Sequence, residues 1–93
     1  MRGMDDAFAH QVELVHFPAN VQISRHPLGA DFLLRAEGKG TGAELLLTQG
    51  AMKMYGEGPS TSMALTVLKE VAQRGLPPRA ADGTFERLVF PGD

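Results

Sequence analysis

AELLLTQGAMKMYG, residues 43–56, is the stretch that decides the fold, because it can form either a β-hairpin or part of a helix. A hairpin that turns at Gln49-Gly50 would have one apolar face and one mixed face. The apolar face would pair Leu47 with Met52 and Leu45 with Met54, and the mixed face would pair Leu46 with Lys53 and Glu44 with Tyr55. A helix over the same residues would hold Gly50 at its centre, at a cost of about 1 kcal/mol relative to alanine. The stretch therefore predicts a hairpin.

The residues that precede this stretch alternate with period two, which is typical of strands. Val21 and Ile23 would share one face of a strand, and Phe32, Leu34 and Ala36 would share one face of the next. The sequence HPLGAD between them carries the proline and glycine of a turn. We therefore expect two antiparallel strands upstream of the hairpin.

The start of the chain predicts a helix that ends before Pro18. Asp5 and Asp6 would cap it, and its apolar positions are Phe8, Val12 and Val15. The alternative for residues 8–17 is a strand over VELVHF, because valine and phenylalanine favour strands. We prefer the helix because the aspartates precede it and it spans three turns.

A second helix is predicted over residues 61–74 from one apolar stripe. The stripe consists of Ala64, Val67, Leu68, Val71 and Ala72. Ser60 or Thr61 would be its N-cap, and Gly75 followed by two prolines would end it. In the remaining residues 76–93, TFERLVF could form a last strand or a loosely docked tail.

The predicted fold class is α+β: a helix, three or four antiparallel strands, a helix and a C-terminal strand or tail, with the helices packed on one sheet face. A chain of 93 residues supports one domain, residues 1–93. It contains no cysteine, which excludes disulfides and thiolate chemistry and permits a reducing compartment, so we expect a cytoplasmic protein. We expect no membrane contact, because the longest aliphatic run is three leucines.

Small motifs in the chain do not predict a cofactor, a metal or a catalytic site. GKGTGA provides Gly38, Gly40 and Ala43 of a dinucleotide fingerprint, but a strand rather than a helix is expected to follow it. The three histidines have no local spacing that would fix a pair of metal ligands. No serine, histidine and acid have an interpretable catalytic spacing. We therefore expect a non-enzymatic protein without a cofactor.

The segment around the start of the second helix resembles a known family. Gly56, Gly58, Ser60 and Ala64 match the signature Gly-x-Gly-x-Ser-Lys-Lys-x-Ala-Lys of double-stranded-RNA-binding domains, and the resemblance extends over residues 43–72. It implies a helix, three antiparallel strands and a helix. The lysines that hold phosphate in that family are here Thr61, Ser62 and Leu65.

Three functional hypotheses follow. The leading one is a protein-interaction or homodimerisation module that acts through an open sheet face, with contacts from Leu33, Arg35, Glu44, Leu46, Lys53 and Tyr55. The alternative is a nucleic-acid-binding module with contacts from Arg25, Lys39, Ser60, Thr61 and Ser62, although a net charge of −2 and dispersed basic residues disfavour it. The third is a small enzyme or ligand binder that uses His16 or His26 with Asp31.

Overall fold

The computed structural model describes residues 3–90 of the chain, which contain three helices and four strands. They are α1 Gly3–Val15, β1 Gln22–Leu28, β2 Asp31–Glu37, β3 Gly42–Leu47, α2 Gln49–Tyr55, α3 Glu57–Arg74 and β4 Glu86–Phe90. The predicted α+β class is confirmed. None of the helices in the described part is long and apolar enough to cross a membrane.

The strands form one mixed sheet in the order β1-β2-β3-β4. The first three strands are antiparallel, and β4 pairs in parallel with β3. A parallel pair needs a crossover connection, which α2 and α3 supply here. The predicted C-terminal strand is thus confirmed, with Leu88 and Phe90 against the core, while residues 91–93 of the predicted tail lie outside the described residues.

The hydrophobic core lies between the helices and one face of the sheet. Leu34 of β2 and Leu45 of β3 are almost fully buried, as are Leu65 and Leu68 of α3. The apolar stripe predicted for α3 therefore faces the sheet, and Leu65, which the stripe did not include, is part of the same core. All the helices pack on this face, so the opposite face of the sheet is open.

The hairpin predicted for residues 43–56 is wrong, because residues 49–55 form α2. Thr48 is the N-cap of α2: its Oγ1 accepts a hydrogen bond from the Ala51 amide at 3.2 Å. The Gln49 amide donates to Asp31 Oδ1 at 2.8 Å. Gly50 lies in the first turn and not at the centre of the helix, and the capping bonds offset its cost. The second side of β3 is occupied by β4 instead.

Replacing Thr48 with alanine should lower the free energy of unfolding by about 1 kcal/mol, the typical cost of losing an N-cap. The variant also loses the hydrogen bond from Thr48 Oγ1 to the Phe90 carbonyl. Urea denaturation measures the change. The matched control is Thr66→Ala, because Thr66 is exposed and its hydroxyl donates only within α3. Equal effects of the two substitutions would contradict the capping role.

The helix predicted at the start of the chain is confirmed as α1, and the strand alternative is wrong. Asp5 and Asp6 lie inside α1 and do not cap it, since the helix begins at Gly3. The helix ends at Val15 and is followed by His16, whose φ of 64° is left-handed and whose amide donates to the Glu13 carbonyl. His16 therefore occupies a position that usually holds glycine.

The substitution His16→Gly should raise the free energy of unfolding by about 1 kcal/mol, because a left-handed conformation costs a non-glycine residue about that much. Thermal or urea denaturation measures the gain. His10→Gly is the control with the opposite sign: His10 lies within α1, where glycine is destabilising by about 1 kcal/mol. A loss of stability in both variants would show that His16 is not strained.

The start of α3 differs from the prediction. The helix begins at Glu57 after Gly56, whose φ is 92°, so neither Ser60 nor Thr61 is the N-cap. Both hydroxyls donate to the Glu57 carbonyl, at 3.1 and 2.7 Å, within the first turns of the helix. The predicted end is confirmed in that Arg74 is the last helical residue and Gly75 has a positive φ.

Candidate functional site on the open sheet face

The strand register aligns two rows of side chains across the open face, because directly opposed residues point to the same side of a sheet. We call one the charged row: Ser24, Arg35, Glu44 and Arg87, taken from β1 to β4. We call the other the apolar row: His26, Leu33, Leu46 and Val89. The two rows run side by side over all four strands.

Glu44 is the centre of the charged row, and two arginines hold its carboxylate from opposite sides. Arg35 donates from Nε to Oε2 at 2.9 Å, and its Nη2 forms an ion pair with the same oxygen at 2.8 Å. Arg87 donates to Oε1 from Nε at 3.3 Å and from Nη2 at 3.2 Å. The Glu44 side chain is only 6% exposed, whereas that of Arg87 is 50% exposed. Arg87 thus has the longer bonds to Glu44 and the greater access to solvent.

Phe85 extends this cluster beyond the strands. Its ring lies against Gly42, where an added Cβ would collide with the ring. The guanidinium of Arg79 lies 4.3 Å from the ring centroid and that of Arg35 lies 5.1 Å away. Glycine at position 42 therefore makes room for an aromatic ring that carries two cations.

The turn before Phe85 is held by Asp82. Its carboxylate accepts hydrogen bonds from the Thr84 hydroxyl at 2.7 Å and the Thr84 amide at 3.1 Å. These bonds, above all the one from the hydroxyl, lower the pKa of Asp82. The pKa of Asp82 is lower in the folded state than in the unfolded state, so the ionised carboxylate stabilises the folded turn. This stabilisation is complete at pH values above the ordinary pKa of aspartate and is lost as the pH falls through the lowered pKa.

The charges of the cluster balance. Three guanidiniums, those of Arg35, Arg79 and Arg87, line an open cleft of about 530 Å³. Three carboxylates lie beside them: Glu44, Glu37 at 3.6 Å from Arg79, and Asp82 in the turn whose Thr84 lines the cleft. Arg87 bonds Glu44 through Nε and Nη2 and its side chain is 50% exposed, so its remaining N–H groups can donate to a carboxylate of another molecule.

The apolar row becomes more exposed toward β4. Leu33 is 6% exposed, Leu46 is half-buried and Val89 is 58% exposed. Val89 is two residues from Arg87 on the same strand, so the most accessible side chain of the apolar row lies next to the most accessible arginine of the charged row. This corner of the open face combines both kinds of contact.

The structure brings together four of the six predicted partner contacts: Leu33, Arg35, Glu44 and Leu46. Lys53 and Tyr55 are not opposite Leu46 and Glu44, because they lie in α2. Sequence reasoning missed Arg79, Phe85, Arg87 and Val89. The alternation in ERLVF does indicate that Arg87 and Val89 share a face, but only the parallel pairing with β3 shows which face that is.

The residues predicted for nucleic-acid contact lie in different settings. The Arg25 guanidinium is 4.8 Å from the ring centroids of both Phe8 and Phe32. Ser60 and Thr61 are buried, whereas Lys39 is exposed in the connection between β2 and β3 and Ser62 is exposed in α3. Nucleic-acid binding stays a prediction.

Of the residues predicted for a small enzyme, His16 directly follows α1, whereas His26 and Asp31 lie diagonally across β1 and β2 on the same face. Both have other partners: His26 Nε2 is 3.0 Å from Ser24 Oγ, and Asp31 accepts from the Gln49 amide. Within the described residues, no group of three or more histidines or acids could hold a metal ion.

No protein-family model matches the sequence, and no match is found among curated proteins or solved structures. The resemblance to double-stranded-RNA-binding domains therefore rests only on the sequence of residues 43–72, in which Gly56, Gly58, Ser60 and Ala64 match the signature. The order of α1, three antiparallel strands and a later helix agrees with that resemblance, but α2 replaces the hairpin that was placed at Gln49-Gly50.

Proposed function

We propose that this protein is a non-enzymatic interaction module that binds another protein through its open sheet face. The observation that carries the proposal is the corner where Arg87 and Val89, both largely exposed, lie side by side. Interfaces commonly combine arginine with apolar contacts in this way.

The exposed guanidinium of Arg87 favours a partner that carries an acidic residue next to aliphatic ones. A second copy of the chain that met this corner about a two-fold axis would place one Arg87 against the other, and like charges across an interface cost free energy. A carboxylate from another protein would instead accept from the N–H groups of Arg87 that Glu44 does not use. The proposed partner is therefore a different protein with an acidic and apolar contact surface.

Selection of a displayed library of random peptides against the purified protein tests this proposal. We expect enrichment of peptides with an acidic residue close to aliphatic residues. Arg87→Glu should weaken the selected peptides by about tenfold or more, because it replaces attraction by repulsion. Val89→Lys should weaken them by removing the apolar contact while leaving the Glu44 bonds in place.

Lys69→Glu is the matched charge reversal, since Lys69 lies in α3 on the other side of the sheet. Its affinity should stay within about twofold of the parent, as expected for a charge outside the interface. Denaturation curves for each variant show whether it folds. Failure to enrich any peptide, or equal loss in Lys69→Glu and Arg87→Glu, would overturn the proposal.

A further inference from the structure

The outer edge of β4 has no strand paired to it among residues 3–90. The other edge strand, β1, contains Pro27, which has no amide hydrogen and so protects an edge from further pairing. No proline lies within β4. The edge that is open to another strand is therefore the one that carries Arg87 and Val89.

One hydrogen bond indicates which backbone groups point outward from this edge. The Phe90 carbonyl accepts from Thr48 Oγ1 at 3.2 Å, and Thr48 directly follows β3, so this carbonyl points toward β3. Backbone groups alternate in direction along a strand. The N–H and C=O groups of Arg87 and Val89 therefore point to the free edge.

A mainly apolar groove of about 460 Å³ adjoins β4 on the side of the sheet that the helices cover. Val67 and Val71 of α3, Pro77 and Leu88 of β4 line it together with two charged residues, Arg74 and Glu86. Leu88 lies between Arg87 and Val89 in sequence and on the opposite face. A strand added to the edge would thus have an apolar groove on one face and the corner of Arg87 and Val89 on the other.

We propose that an extended segment of the partner protein adds to β4 as an antiparallel fifth strand. The proposal rests on the proposed function and deepens it by naming the kind of segment bound. An acidic residue of the segment lies opposite Arg87, an aliphatic residue lies opposite Val89, and the side chain between them enters the groove. Main-chain hydrogen bonds supply affinity and the alternating side chains supply specificity, as in other complexes formed by strand addition.

Charge complementarity distinguishes this segment from a second copy of β4. If two copies of β4 paired antiparallel about a two-fold axis perpendicular to the sheet, each residue would lie opposite a residue whose side chain points to the same face of the sheet. Among the described residues, the one opposite Arg87 would then be Gly83, Phe85, Arg87 or Val89, depending on the register. None of these carries a carboxylate, so no register of self-pairing within residues 3–90 gives Arg87 a second carboxylate besides Glu44.

The test is a scan of backbone N-methylation along the tightest peptide selected in the experiment above, with affinities measured by calorimetry. Strand addition predicts a period of two. Methylation should weaken binding by about tenfold or more at the residues that bond the outward groups of Arg87 and Val89, and by less than about twofold at the residue between them. The intervening residue is the matched control.

The outcomes separate this inference from the proposed function. Uniform tolerance of N-methylation, with affinity still lost in Arg87→Glu, would overturn strand addition and leave binding on the open face intact. Failure to select any peptide would overturn both. Sedimentation of the parent protein and of Val89→Lys gives their oligomeric states. A dimer of the parent that is absent in Val89→Lys would overturn the inference in favour of self-pairing of β4.

Discussion

Leu34→Ala is expected to lower the free energy of unfolding by about 3 kcal/mol, within the range observed when a fully buried leucine is truncated. The Leu34 side chain is 0% exposed and lies opposite Leu45 in the sheet, where it packs with Leu65 and Leu68 of α3. Its removal leaves a cavity between the sheet and the helix that the rigid neighbours cannot close. Domains of this size are stable by about 5–15 kcal/mol, so the variant should lose a large share of that margin.

Urea denaturation followed by circular dichroism measures the Leu34→Ala effect. The matched control is Leu14→Ala, because the Leu14 side chain is 63% exposed and its truncation should change stability by less than about 0.5 kcal/mol. Similar effects at the two leucines would mean that Leu34 is not at the centre of the core.

Gly42→Ala is the second large effect, with an expected loss of about 1–3 kcal/mol from overpacking. A Cβ at this position would collide with the Phe85 ring and would come within 3.0 Å of the Ala36 carbonyl oxygen. A ring displaced by the added methyl group would change its contacts with the guanidiniums of Arg35 and Arg79. The same variant should therefore also disturb the cleft of the charged cluster.

A double-mutant cycle identifies the cause of the Gly42→Ala loss. In a Phe85→Ala background the cost of Gly42→Ala should shrink, because the ring that it meets is gone. Gly58→Ala is the control: its Cβ would meet nothing within 4 Å, and it lies in the first turn of α3, so it should change stability by less than about 1 kcal/mol and should not destabilise the protein. An unchanged cost in the Phe85→Ala background would contradict the contact.

The periodicity of apolar residues in the sequence predicted the helices and strands that bury one face against the core. The stripe of α3 and the alternation of β1 and β2 are such cases. The hairpin predicted at Gln49-Gly50 is wrong because Thr48 and Asp31 accept hydrogen bonds from the first amides of α2 and stabilise a helix there. Thr48 was a visible local cap, but Asp31 is 18 residues away in sequence and reaches the Gln49 amide only in the fold. Parallel pairing of β4 with β3 is also non-local, since α2 and α3 lie between them.

Sequence reasoning found the middle of the candidate site and missed its edge. Leu33, Arg35, Glu44 and Leu46 belong to strands whose alternation is clear in the sequence. Arg87 and Val89 were missed because their face depends on which strand β4 joins. Arg79 and Phe85 lie in the connection between α3 and β4, where the sequence has no helical or strand periodicity. They come close to Gly40 and Gly42 only because this connection passes the start of β3 in the fold.

The most direct test of the central claim, that the open face binds the partner, is a map of amide chemical-shift changes in the labelled protein on titration with a selected peptide. We predict the largest changes in β4 around Arg87 and Val89, with smaller ones at Arg35 and Leu46. Changes concentrated on the outer surfaces of α1 and α3, with β4 unaffected, would contradict the claim.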